Sequence, residues 1–139
     1  LHQDEKVIEL ALSNLVHNAI KFSEENTVIA IDISQNKEST VFKVKDNGIG
    51  IPIKDQKNIF NRYFRAENAL LTEGTGIGLN IVKDHIENLK GEIYFESTEN
   101  KGSIFSLDNS PCCAKEGNSF FVFGPEIVCI GFFSTTPSF

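Results

Sequence analysis

Apolar residues recur at helical spacing along residues 4–22: Ile8, Leu12, Leu15, Ala19 and Phe22 form one stripe, and Asp4 stands where an N-cap belongs. The polar stretch "SEEN" ends this segment, and the period then changes. "TVIAIDI" and "TVFKVKD" are rich in β-branched residues, and in the second Phe42 and Val44 alternate with Lys43 and Lys45, which predicts two strands joined as a hairpin across "SQNKES". "DNGIGIP" interrupts with two glycines and a proline. A short helix is expected around residues 54–64, and residues 67–75 show no period and read as a mobile loop. Leu79, Val82, Ile86 and Leu89 restore the helical spacing up to Gly91, a natural C-terminal cap, and "EIYFES" and "GSIFSL" supply two more strands.

Helix, two strands, glycine loops, helix, two strands is the order of an α/β two-layer sandwich, with helices on one face of a mixed sheet. It is not the βαβ alternation of a doubly wound fold. After Leu107 the character changes: residues 112–139 hold three charged residues (Lys115, Glu116, Glu126), yet they carry six of the chain's 12 phenylalanines and all 3 cysteines.

At 139 residues the chain suits one domain with a real core. Thirteen basic against 19 acidic residues, a formal charge of -6, disfavour nonspecific binding to nucleic acid or an anionic membrane, so any anionic ligand must be held by local groups. No stretch reaches the roughly 18 apolar residues needed to span a bilayer, and "LHQDEKVIEL" lacks the pattern of a signal peptide, so a soluble, cytoplasmic segment is expected. Cys112, Cys113 and Cys129 lack paired metal-site spacing.

Four segments hold groups capable of chemistry. On the first helix Asn14, Asn18 and Lys21 are expected to share the face opposite the apolar stripe; amide oxygens can ligand a hard cation such as Mg²⁺, and a lysine can neutralise phosphate. A solvated polar face is the plainer alternative. In "DNGIGIP", Asp46 at a strand end can accept a hydrogen bond from an exocyclic amine while Gly48 and Gly50 admit a flat ring, or the stretch is an ordinary turn. "IFNRYFRAE" places Arg62 and Arg65 at a loop base, within reach of a terminal phosphate or simply solvated. "TEGTGIGLNIVKDH" sets Gly74, Gly76 and Gly78 before a helix; no Lys-Ser or Lys-Thr follows and no buried strand precedes, so neither common phosphate-loop signature applies. A helix N-terminus with free N–H groups remains, a generic anion site.

Taken in order, "NLVHNAIKFS", "VKDNGIGIP", "IFNRYFRAE" and "GTGIGLNIVKDHIENLKGEIYFES" resemble the N box, first glycine box, F box and second glycine box of sensor histidine kinases, over residues 4–107. The wider superfamily includes the ATPase domains of DNA gyrase, MutL and Hsp90. The resemblance implies a Bergerat ATP-binding fold, about five strands backed by about three helices. It implies Asn18 as the Mg²⁺ ligand with Asn14 beside it, Lys21 on the phosphates, and Phe22 lining the nucleotide pocket. Asp46 would receive the adenine amino group, with Gly48, Gly50 and Ile51 shaping the pocket; Arg65 would face the γ-phosphate, and Gly74, Thr75, Gly76, Gly78 and Leu79 would form the lid hinge. Catalysis would rest on Asn14, Lys21 and Arg65, with ATP and Mg²⁺ as cofactors, a histidine-bearing dimerisation domain as phosphoacceptor, and a response regulator receiver domain downstream.

In hydrolysing members a glutamate four residues before the metal-binding asparagine activates water, and here that position is Asn14. The chain starts at or just before the N-box helix, so the acceptor helix lies elsewhere, and His2, His17 and His85 are read as structural or surface residues. The strand that precedes this helix in the family is missing or cut short, which predicts truncation at the N-terminal edge and a bare sheet edge. Residues 1–108 are assigned to the ATP-binding domain. Residues 109–139 are read as a divergent apolar tail, non-native or disordered, its origin a translated frameshift or a fragment boundary, with a partner-binding extension second. Two rival functions stay open: a non-catalytic nucleotide-binding module, degenerate or of the anti-sigma type, and an ATP-hydrolysing member, against which Asn14 speaks.

Overall fold

The structure, a computed structural model, describes residues 2–35, 39–109 and 128–132. Helix α1 (His2–Phe22) leads into strands β1 (Ile29–Gln35) and β2 (Thr40–Asp46), then a single turn of helix α2 (Ile53–Gln56) and a 3-10 turn (Glu67–Ala69). Helix α3 (Gly78–Asn88) and strands β3 (Glu92–Thr98), β4 (Gly102–Asn109) and β5 (Val128–Phe132) follow. Among the described residues the sheet has five strands in the order β3-β4-β2-β1-β5. From β3 to β1 each neighbouring pair is antiparallel, and β5 runs parallel to β1, which makes the sheet mixed. The expected two-layer sandwich is what the chain adopts.

Alternation along the strands decides which face is buried. The register stacks Phe42, Leu107 and Ile93 in one row across β2, β4 and β3, and Val44, Phe105 and Phe95 in the next. The apolar stripe of α1 and Val82 and Ile86 of α3 cover this face, with Leu15, Val16, Val44, Val82, Ile86 and Leu107 almost wholly buried. Burying each such side chain is worth about 1.5–3 kcal/mol. The opposite face carries Lys43, Lys45, Tyr94 and Glu96 in solvent.

Several boundaries differ from expectation for identifiable reasons. Helix α1 starts at His2, so Asp4 lies inside its first turn; an acidic residue suits a helix N-terminus as well as it suits a cap. The helix expected over 54–64 stops at Gln56: the chain continues through separate turns, Asn58 N–H to Asp55 O (2.9 Å), Asn61 N–H to Asn58 O (2.9 Å) and Phe64 N–H to Asn61 O (3.1 Å). Tyr63 takes a left-handed φ of 64°, through which a right-handed helix cannot continue. Helix α3 closes through Gly91 N–H on Ile86 O (2.9 Å), but the left-handed residue is Lys90, φ 60°, not Gly91. A Cβ at Gly91 would lie 2.4 Å from the Asp108 carbonyl oxygen, so that glycine is needed for close approach.

The outer edge of β1 is not bare. Its backbone pairs in parallel with β5, from Ile29 opposite Val128 to Ile33 opposite Phe132, and the unpaired N–H and C=O groups of an edge strand are a template for such addition. Strand β4 extends to Asn109, past the expected domain boundary, while Cys112, Cys113 and most of the tail lie outside the described residues.

Candidate functional site

Between α1, the first glycine loop and the segment leading to α3 lies a cavity of about 610 Å³. Asn14, Asn18, Lys21 and Phe22 enter it from α1 because they fall one helical turn apart on the edge of the buried stripe. Asp46, Gly50 and Ile51 enter from the end of β2 and the loop after it, and Arg65, Gly74, Thr75, Gly76, Gly78 and Leu79 from the lid and α3. One expected lining residue is absent: Gly48 lies behind the wall, where a Cβ would sit 2.3 Å from the Phe22 carbonyl oxygen. Its contribution is instead a hydrogen bond, its N–H donating to Asp46 Oδ1 at 2.9 Å.

Asp46 is the only carboxylate among the described lining residues, and it is 8 % exposed. Ser103 N–H also donates to Oδ1, at 3.3 Å, so both backbone bonds load one oxygen and leave Oδ2 for a ligand. Burial raises the Asp46 pKa above the ordinary carboxylate range, opposed in part by these two N–H groups.

The loop beside it is tied down on all sides. Ile49 N–H donates to Phe22 O at 3.1 Å, and Asn68 Nδ2 donates to Gly50 O at 3.0 Å. Gln56 Nε2 donates to Ile51 O (3.1 Å) and Ser97 O (3.0 Å). Gly50 adopts a φ of +64° with its Cα against Thr98, where a Cβ would lie 2.0 Å from the carbonyl oxygen.

The α3 side of the cavity is built differently. No side chain caps α3, so its first N–H groups point out at Gly78, whose Cβ position is 3.9 Å from Asn14 Oδ1 and 4.0 Å from Asn18 Nδ2. The Lys21 ammonium sits 5.1 Å from the Phe22 ring centroid and against Gly74. Arg65, expected at a terminal phosphate, lines the cavity but donates from Nη2 to the lid carbonyls of Ala69 (2.7 Å) and Thr72. Tyr63 N–H donates to Gly76 O at 2.9 Å and anchors the far end of the lid. His17 is exposed at the cavity edge, and His85 lies half-buried on α3 outside the lining.

Asn68 and Ser103 line the cavity although the sequence reading passed over them. Alternation did not single out Ser103, because the inward positions of β4 include buried Asn109 as well as Phe105 and Leu107.

The donor set fits Mg²⁺ held jointly with phosphates. Asn14 and Asn18 offer hard amide oxygens, whereas no group of three His, Cys, Asp or Glu that could hold a metal unaided exists among the described residues.

Residues 3–111 match the model of the histidine kinase-, DNA gyrase B-, and HSP90-like ATPase family. The sensor histidine kinase WalK of Bacillus subtilis is 38% identical over 108 residues, which cover 75% of this chain and 18% of WalK. The sensor-like histidine kinase SenX3 of Mycolicibacterium smegmatis is 40% identical over 106 residues, covering 75% of the chain and 28% of SenX3. The chain thus spans well under a third of the curated relatives it matches. The solved catalytic domain of histidine kinase ThkA, in a nucleotide-free form, superposes with a TM-score of 0.65 at 33% identity, covering 76% of this chain and 68% of that one. The mycobacterial sensor histidine kinase MprB shares the fold at a TM-score of 0.69 and 23% identity, covering 76% and 72%.

Proposed function

Because the chain belongs to the histidine kinase-, DNA gyrase B-, and HSP90-like ATPase family, we propose that it is the ATP-binding catalytic unit of a sensor histidine kinase. It holds ATP with Mg²⁺ and passes the γ-phosphoryl to a histidine on a dimerisation domain, from which a response regulator receiver domain takes it. The unit is assigned to residues 1–108 and to the cytoplasm; no helix among the described residues is long and apolar enough to cross a membrane.

The observation that carries this reading over hydrolysis is the cavity wall itself. Its one described carboxylate, Asp46, is engaged at the adenine end, and Asn14 presents an amide where a water-activating glutamate would stand. Binding and orientation are what the remaining groups can do. Asp46 receives the adenine amine, Asn14 and Asn18 supply side-chain amides beside the α3 N-terminus, and Lys21 and that N-terminus neutralise charge there. Mg²⁺, when bound, supplies further charge neutralisation on the phosphate oxygens. Arg65 must leave its lid carbonyls to reach a phosphate, so its expected role requires a change of partner.

The test supplies a histidine-bearing dimerisation domain in trans with γ-labelled ATP. Label should move to the histidine, and Asn18→Ala should cut transfer about a hundredfold. Nucleotide binding without any transfer would identify a non-catalytic module. Steady ATP turnover by the chain alone, abolished by Asn18→Ala, would identify a hydrolase.

A further inference from the structure

At the cavity end of the sheet an inward row breaks the apolar pattern of the two rows beside it. Asp46 on β2 stands opposite Ser103 on β4, and Ser103 stands opposite Ser97 on β3, so three polar side chains cross the sheet in one register line beside the apolar row Val44, Phe105, Phe95. From this row we infer that Ser97, which does not line the cavity, is a positioning residue for purine recognition: it fixes the direction of the Ser103 hydroxyl. The inference rests on the ATP-binding reading above.

Ser97 Oγ accepts the Ile51 N–H at 2.8 Å, so its single proton must go elsewhere. Ser103 Oγ at 2.7 Å is the nearer acceptor; the Gly102 carbonyl is at 3.2 Å. With its own oxygen occupied by that proton, Ser103 has its O–H left to donate, and Ser103 faces the cavity. With the shorter contact taken as the donation, the relay runs from the Ile51 N–H through Ser97 and Ser103 into the cavity. The opposite sense, Ser97 donating to the Gly102 carbonyl and accepting from Ser103, would turn the Ser103 proton away from the cavity and is what the titration below distinguishes. Ser103 also sends its N–H to Asp46 Oδ1, which ties the carboxylate to the same row. The wall presents an acceptor at Asp46 next to a donor at Ser103. That pair matches an exocyclic amine beside a ring nitrogen acceptor, the edge of a 6-aminopurine, met directly or through one water.

A structural role for Ser97 would weaken every nucleotide alike, whereas a directing role changes selectivity at the ring nitrogen. The full chain is titrated with ATP and with 1-deaza-ATP, which keeps the amine and lacks that nitrogen. The native chain should prefer ATP by about fivefold, the worth of one neutral hydrogen bond. Ser97→Ala should bring the ratio to about one, Ser103→Ala should do the same, and Ser97→Thr, which retains Oγ, should restore it. A native preference kept in full by Ser97→Ala or by Ser103→Ala overturns the inference. Should Ser97→Ala not fold, the Ser103→Ala and Ser97→Thr ratios decide it alone. Failure of the native chain to bind either nucleotide would instead strike the ATP-binding reading, so the two failures are separable.

Discussion

At the Asp46 end of the cavity, the end proposed to take adenine, Gln56, Asn68 and Ser97 hold the backbone of residues 49–51, and two N–H groups hold the Asp46 carboxylate. At the phosphate end, the Lys21 ammonium rests against a glycine and a ring face, Leu71 on the lid is fully exposed, and the Arg65 guanidinium holds lid carbonyls. Adenine is a rigid ligand with fixed hydrogen-bonding edges, and a preorganised wall binds it without ordering costs. A triphosphate that must arrive, transfer one group and leave is better served by long cationic side chains and free N–H groups, which can exchange partners. On the proposed function the contrast is one of role: recognition is built into the sheet, and reaction is left to long side chains and the loop that leads into α3.

The strongest way to break this contrast is to disturb the adenine loop. Gly50→Ala places a Cβ 2.0 Å from the Thr98 carbonyl oxygen and 2.6 Å from its carbon, at a φ of +64°. Thr98 closes β3 and Asn68 holds the Gly50 carbonyl, so neither side yields. Denaturant unfolding should show a loss of about 2–4 kcal/mol, the range of a forced left-handed residue plus a backbone clash. A loss under about 0.5 kcal/mol, within the range of an ordinary surface change, would mean that the loop is as adaptable as the lid.

Asp46 gives the next largest effect, with opposite signs for stability and binding. Burial raises its pKa, so the folded chain holds the proton more tightly than the unfolded chain does. The group's contribution to stability is then complete below the ordinary carboxylate range and is lost as pH rises through the raised value; at neutral pH the buried charge is a cost. Asp46→Asn should leave the melting temperature at neutral pH unchanged or higher. The same change should weaken ATP about tenfold or more, the worth of a hydrogen bond to a charged acceptor. Native affinity for ATP should also fall as pH drops through the raised Asp46 range, beyond the decline that Asp46→Asn shows from the titration of the phosphates. Parallel pH profiles for the two proteins would remove Asp46 from recognition.

The ingredients of this contrast were unequally visible in the sequence. Asn14, Asn18, Lys21, Asp46 and the lid glycines share short motifs, because helical spacing or a tight turn makes neighbours of residues close in the chain. The Asp46, Ser103, Ser97 row was hidden, because cross-strand neighbours are set by register between strands separated by up to fifty-seven positions (Asp46 and Ser103). The Arg65 partners were hidden for another reason: backbone carbonyls are available at every residue, and no motif marks which of them a guanidinium will find. The bare sheet edge expected from N-terminal truncation is not found at β1, because the open backbone groups of an edge strand pair with any extended segment that reaches them, here the apolar 128–132.

The smallest expected effect tests the phosphate end by the same substitution as Gly50→Ala. A Cβ on Gly74 would meet Lys21 Nζ at 2.3 Å, but the next atom, Lys21 Cε, is already 3.5 Å away and no backbone atom is near. Gly74 is not among the positive-φ residues. The obstruction is the tip of a flexible side chain, which can rotate away at little cost. Gly74→Ala should change stability by less than about 0.5 kcal/mol, an ordinary surface value. Displacing the ammonium leaves it in the same electrostatic neighbourhood, so ATP affinity should fall by less than about threefold and the loss should shrink in high salt. An order-of-magnitude loss of affinity at Gly74 would show that Lys21 needs its observed position, and the phosphate end would then have to be counted as preorganised too.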